Sequence, residues 1–188
     1  MTLTAMLDVL LKPLRRPLCT LLSGGALLVG GCSATNEQLS PSLQLISRLP
    51  PANDASGLPD ELSKPVVMIH FLASWCSLCA FELPYIVALR RNEDAEHVGI
   101  VVIAIDDSPE DAVALAARFR LPVPLVIDTS GATKGLFDLA DLPTTVLINS
   151  HGAPVAVRNP KTGEMTSRFV GAYEWDRGDL LRSLLALK

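Results

Sequence analysis

Two cysteines separated by two residues, Cys76-Ser-Leu-Cys79, follow the apolar run Val66-Val-Met-Ile-His-Phe-Leu72 and lead into a stretch with helical spacing. A pair so spaced can cycle between dithiol and disulfide. At the handover from strand to helix, Cys76 meets unpaired N–H groups and the positive end of a helix dipole, both of which favour a thiolate. A disulfide between them would be a poor staple, because so short a loop closes almost no chain entropy. A zinc site would need further ligands, and no second cysteine pair follows. Two acid–base groups lie nearby in sequence. Glu82, three residues after Cys79, shares its helical face and is placed to exchange a proton with it; the plainer alternative is a solvated carboxylate held by the helix dipole. His70 stands six residues before Cys76 on the strand beneath the pair. Charged and alone it would be costly to bury, so it either tunes or relays a proton for the cysteines or is a neutral, hydrogen-bonded core residue.

The elements that must hold these residues follow from the apolar pattern. The runs 66–72 and 98–105 are continuous and β-branched, as in central strands buried on both faces. Between them, 80–91 has helical spacing, and Asp106-Asp-Ser-Pro-Glu-Asp111 supplies caps and early acids for a helix over 112–119. A short strand at 125–128 and a short helix at 132–138 come next. A β-rich half follows, with a strand at 144–149 and a pairing of 154–157 with 165–171 across Asn159-Pro-Lys-Thr-Gly163. Residues 177–187 close the chain as an amphipathic helix. The alternation predicts an α/β fold with a central mixed sheet flanked by helices.

The chain has 188 residues, is 49% hydrophobic and carries a formal charge of −4, which suits one globular domain plus a tail and offers no basic patch for nucleic acid. Residues 1–31 combine Lys12, Arg15 and Arg16 with an uncharged segment of signal-peptide length that is short for a membrane span. The segment ends in Leu28-Val-Gly-Gly-Cys32, which resembles a bacterial lipoprotein processing site with Cys32 as the lipidated residue. The alternative is an uncleaved anchor. Either route exports the folded part to the periplasm or cell envelope, where thiol chemistry can run in both directions. Residues 32–63 turn rich in Ser, Asn, Pro and Asp and read as a flexible tether, with 43–47 as a candidate edge strand and 58–62 as a short turn of helix, ahead of a domain over 64–188.

Order of elements and residues together resemble the thioredoxin superfamily, in particular the membrane-tethered TlpA- and ResA-like proteins, over roughly Leu43 to Lys188. Trp75-Cys76-Ser-Leu-Cys79 is similar to their active-site motif, Pro84 to their helix-kinking proline, Leu142-Pro143-Thr144-Thr145 to their cis-proline loop, and Gly171 with Tyr173-Glu-Trp-Asp176 to their ending. The resemblance implies a thioredoxin-like fold and a protein thiol–disulfide oxidoreductase without a further cofactor or metal. In it Cys76 attacks and Cys79 resolves, Glu82 has a counterpart, and His70 replaces an aspartate or asparagine. Trp75 shields the pair, and Leu142, Pro143 and Thr144 meet an extended substrate. Implied partners are exported proteins with cysteines or disulfides, including cytochrome c or copper-site proteins in a reductive role, and a membrane redox donor or acceptor. Alternatives are an oxidase or isomerase for a dedicated partner, or a thiol-based copper chaperone of the same fold, which the CxxC spacing disfavours. A peroxidase signature is absent, since Ala73 stands where its threonine would be.

Overall fold

In the computed structural model, residues 39–106 and 108–187 are described. All seven residues of Val66–Leu72 are buried, and they form β1, the middle strand of a five-stranded sheet ordered β3-β2-β1-β4-β7. Strand β2 (Val98–Ala104), also buried throughout, runs parallel to β1, and β3 (Leu125–Ile127) runs parallel to β2. On the other side β4 (Thr144–Ile148) is antiparallel to β1, and β7 (Arg168–Val170) is antiparallel to β4. The expected pairing of 154–157 with 165–171 divides at Ser167. β5 (Val157–Arg158) pairs with β6 (Met165–Thr166) as a small separate ribbon, while β7 joins the main sheet.

Side chains alternate across the sheet and build two apolar layers. Val66, Met68 and Leu72 pack with α3 (Ser77–Arg90), α4 (Pro109–Phe119) and α6 (Gly178–Leu185) through residues such as Leu83, Leu115 and Leu184. Val67, Ile69 and Phe71 face the opposite layer, which contains Leu139 and the N-terminal residues Leu43, Ile46 and Leu62. The short helix α5 (Ala132–Leu136) follows β3.

The described part of the expected tether is built into the domain. Residues 43–47 are not an edge strand: α1 (Pro41–Ile46) is a helix, with the Ser40 hydroxyl accepting from the Leu43 N–H and Pro41 at its start. Leu43 and Ile46, three apart and on one helical face, are fully buried. Residues 50–53 then cover the outer edge of β3. Ala52 N–H donates to the Leu125 carbonyl, Ile127 N–H to the Pro50 carbonyl, and the Asn53 side chain accepts from Leu125 N–H. Helix α2 (Leu58–Leu62) lies against β2, where the Glu61 carboxylate accepts from Ile100 N–H at 2.7 Å and meets Arg90 at 3.1 Å. The approach requires Gly99: a Cβ there would sit 2.0 Å from the Glu61 carbonyl oxygen. The domain therefore begins by residue 39. The expected leader over 1–31 and Cys32 lie outside the described residues.

Candidate active site

The reactive pair sits where the parallel strands end, at the carboxyl edge at which open α/β sheets present ligands. After β1, Ala73 to Trp75 make a turn, and Cys76 is the N-cap of α3, its sulfur accepting from the Cys79 N–H at 3.1 Å. The helix thus begins at Ser77, three residues earlier than its apolar spacing predicts, because the capping group is a sulfur. Cys76 and Cys79 form a disulfide. They are not equivalent: Cys76 is 8% exposed and Cys79 is fully buried, so only Cys76 can be approached by a partner. Pro84, inside α3, cannot donate to the preceding turn.

Glu82 and His70 are both completely buried on the α3 side of the sheet. Glu82 is therefore not a solvated helix acid. Its Oε1 accepts from the Trp175 indole N–H, while Oε2 has no hydrogen-bond partner among the described residues. Burial pushes the carboxyl up to about 8; the Trp175 donor, the Tyr173 backbone and the charge of Lys161 pull it down without offsetting that cost. His70 lies directly across from Thr145 in the β1–β4 ladder, and its Nδ1 shares a 2.9 Å hydrogen bond with the Thr145 hydroxyl. Its Nε2 has no hydrogen-bond partner among the described residues, and burial pushes the imidazole down to about 3, so the ring is neutral at physiological pH.

Beside Cys76 opens a cleft of about 480 Å³, lined by Trp75, Leu78, Ile105, Lys134 and Leu142 among others. Trp75 and Leu78 are largely exposed, which leaves an apolar rim on the nucleophile side. The Leu142–Pro143 peptide is cis. Its loop is held by a bond from Gly171 N–H to the Pro143 carbonyl and by the Thr144 hydroxyl, which donates to the Asp141 carbonyl. Trp75 and Leu142 are thus brought to the cleft with Cys76. The Thr144 side chain is not: it is 1% exposed and its hydroxyl is committed to the loop.

Three residues of the site were not assigned to it from sequence. Asp106, expected to serve the following helix, turns back instead and accepts from the Ser74 N–H and, at 2.5 Å, from the Ser74 hydroxyl, fixing the turn that carries Trp75 and Cys76. Thr145 is the partner of His70, and Trp175 that of Glu82. Among the described residues no helix is long and apolar enough to cross a membrane.

The Redoxin family model matches residues 54–170, from just after the strap beside β3 to the last strand of the sheet. Among similar proteins, the thiol-disulfide oxidoreductase ResA of Bacillus subtilis is 30% identical over 123 residues, covering 64% of this chain and 67% of that protein. The ResA of Geobacillus thermodenitrificans is 31% identical over 104 residues, covering 55% of this chain and 58% of its own length. The match thus spans about three fifths to two thirds of these relatives. A solved structure from Chlorobium tepidum, assigned as a thiol:disulfide interchange protein DsbE, shares the fold with a TM-score of 0.56 at 24% identity, over 74% of this chain and 90% of that one. A thiol-disulfide isomerase from Corynebacterium glutamicum shares it with a TM-score of 0.54 at 17% identity, over 81% and 96%. Because the family match takes in more than half of the sequence, including both cysteines and the cis-proline loop, the chain belongs to the Redoxin family, as a ResA-like member of the thioredoxin superfamily.

Proposed function

We propose that the protein is a thiol–disulfide oxidoreductase that exchanges disulfides with partner proteins through Cys76 and Cys79. The observation that carries this is the asymmetric disulfide at the start of α3, with one sulfur at an apolar cleft and the other buried beside an acid. When the protein disulfide is opened, a partner thiolate attacks Cys76 Sγ. The new S–S bond forms as the Cys76–Cys79 bond breaks, and Cys79 leaves as a thiolate. Glu82, protonated at neutral pH, gives that thiolate its proton. An ordinary thiol has a pKa of about 8.5, so donor and acceptor are closely matched. In the reverse direction the Glu82 carboxylate takes the Cys79 proton and the Cys79 thiolate attacks Cys76, releasing the partner as a thiolate. His70, neutral and bonded to Thr145, supplies a polar floor without a charge. The cleft beside Cys76, with Trp75 and Leu142 on its walls, takes the partner's cysteine segment.

The finer reading is an exported protein tethered through the leader or a lipidated Cys32, acting in the periplasm or cell envelope as a reductant for the cysteines of cytochrome c or a copper-site protein. The leader composition and the ResA likeness support it. Trapping tests it. In the native organism a Cys79→Ser protein retains its partner as a mixed disulfide on Cys76. Recovery of a haem or copper protein with a cysteine pair is the expected result; recovery of many unrelated exported proteins would overturn the dedicated role. No adduct beyond that of a Cys76→Ser control would overturn the exchange itself.

A further inference from the structure

The segment leading into α6 makes a buried side-chain hydrogen bond to the reactive helix. Trp175 is fully buried, 93 positions from Glu82 in sequence, and donates its Nε1–H to Glu82 Oε1. Its ring is fixed by Phe169 at 5.2 Å, close to edge-on, and by Tyr173 at 5.9 Å. An indole N–H donates and never accepts. Glu82 Oε1 is therefore an acceptor whether the carboxyl is ionised or not, and in the neutral acid the carbonyl oxygen, the stronger acceptor, is favoured there, which leaves the proton on Oε2. That oxygen is the one without a partner, one helical turn from the buried sulfur of Cys79.

We propose that Trp175 is the positioning residue for Glu82: by occupying Oε1 it directs the exchangeable proton to Oε2, the atom that serves Cys79. The inference rests on Glu82 as the proton partner of Cys79. The groups that act on the Glu82 carboxyl are the Trp175 indole, the Tyr173 backbone and the charge of Lys161 in the β5–β6 turn. Cys79 precedes it on α3 and His70 of β1 is buried on the same face of the sheet, whereas the charged residues of α4 and α6, Glu110, Asp111, Arg118, Asp179 and Arg182, are exposed, and Arg177 lies over the Tyr85 ring of α3. The Tyr173 hydroxyl is bonded to Asn159, and Lys161 stands 3.8 Å above the Tyr173 ring with its Nζ bonded to the Ala172 carbonyl. Of the groups that act on the carboxyl, Trp175 is the one that makes a side-chain hydrogen bond to it.

The test is the rate at which a small thiol, 2-mercaptoethanol, opens the disulfide of the full-length protein, expressed per thiolate and followed from pH 6 to 10. With a protonated Glu82 as the acid, the wild-type rate falls above about pH 8. Trp175→Phe keeps an aromatic ring and deletes the donor that favours the carboxylate, so the fall moves up by about one pH unit. Glu82→Gln abolishes the inflection, and Trp175→Phe on that background changes nothing further. If Trp175→Phe leaves the inflection in place while Glu82→Gln removes it, the positioning role is overturned and the Glu82 reading stands. If Glu82→Gln retains the inflection, both fall. A second measurement leaves the buried packing untouched. The sequence has two tryptophans, so in a Trp75→Phe protein Trp175 is the sole indole. Its fluorescence in the disulfide form should titrate near pH 8 and lose that transition in Trp75→Phe/Glu82→Gln. A flat titration in the single variant would overturn the proposal independently of how Trp175→Phe folds.

Discussion

Asp106 shows how much of the site depends on a residue that touches neither sulfur. It receives both the backbone N–H and the hydroxyl of Ser74, the residue before the exposed Trp75. Hydrogen bonds to a charged group are worth about 1.5–3 kcal/mol each. Asp106→Asn puts a donor where Ser74 needs acceptors. It should lower the stability of the disulfide form by about 2 kcal/mol in urea denaturation and slow attack at Cys76 several-fold; a variant as stable and as fast as wild type would show the turn to be held by other means. The cysteines, Glu82 and His70 were legible from sequence because CxxC spacing and helix and strand periods are local signals. Asp106, Thr145 and Trp175 were not, because their partners lie 32, 75 and 93 residues away and only strand pairing and helix docking bring them together. Thr145 differs from the other two in that register would have found it. Once β1 and β4 are paired, it is the residue facing His70.

Among elements, the sheet and its helices were legible to within a few residues, as was the helical turn at 58–62, and the rest of the N-terminal segment was misread. Its prolines look like helix breakers, yet each stands where the missing N–H costs nothing. Pro41 and Pro59 open helices, and Pro50 and Pro51 lie on a strap that uses a carbonyl to pair with β3. Leu43-Gln-Leu alternates like a strand, but the buried pair is Leu43 and Ile46, at helical spacing. If residues 39–63 were a tether, Leu43→Ala would be neutral. With Leu43 fully buried against the sheet, the substitution should cost about 2–5 kcal/mol, read as a lower urea midpoint at an unchanged slope. The ending resisted reading for a different reason. Residues 165–170 contain no glycine or proline to divide them, and only the third dimension shows that the two sides of Ser167 pair with different sheets.

For the whole molecule, the two buried groups beneath the disulfide act on folding stability with opposite signs. Glu82 has a folded pKa raised from 4.5 to about 8, so its stabilising contribution is complete below 4.5 and is lost as pH rises toward 8. His70 is depressed from 6.5 to about 3, so its contribution is complete above 6.5 and is lost as pH falls toward 3. Between 4.5 and 6.5 both slopes operate, each about 1.4 kcal/mol per pH unit, and they cancel. Outside that window one acts alone for about 1.5 units, so the pair removes about 2 kcal/mol on either side of a plateau. Other carboxylates add to the acid limb. Asp128, where donors from Ser130, Thr133 and Ala132 outweigh a raising effect of burial, is one of them. Its contribution is common to wild type and variant, so differences between their curves isolate the pair. Urea unfolding of the disulfide form from pH 3 to 8 should give wild type a plateau. His70→Asn leaves the Glu82 slope unopposed, so relative to wild type its stability should keep rising as pH falls from 6.5 to 4.5. Glu82→Gln should instead gain relative to wild type as pH rises from 4.5 to 8. If either variant ran parallel to wild type through its own window, the corresponding group would not be the buried, shifted one, and for Glu82 that result would also remove the acid that serves Cys79.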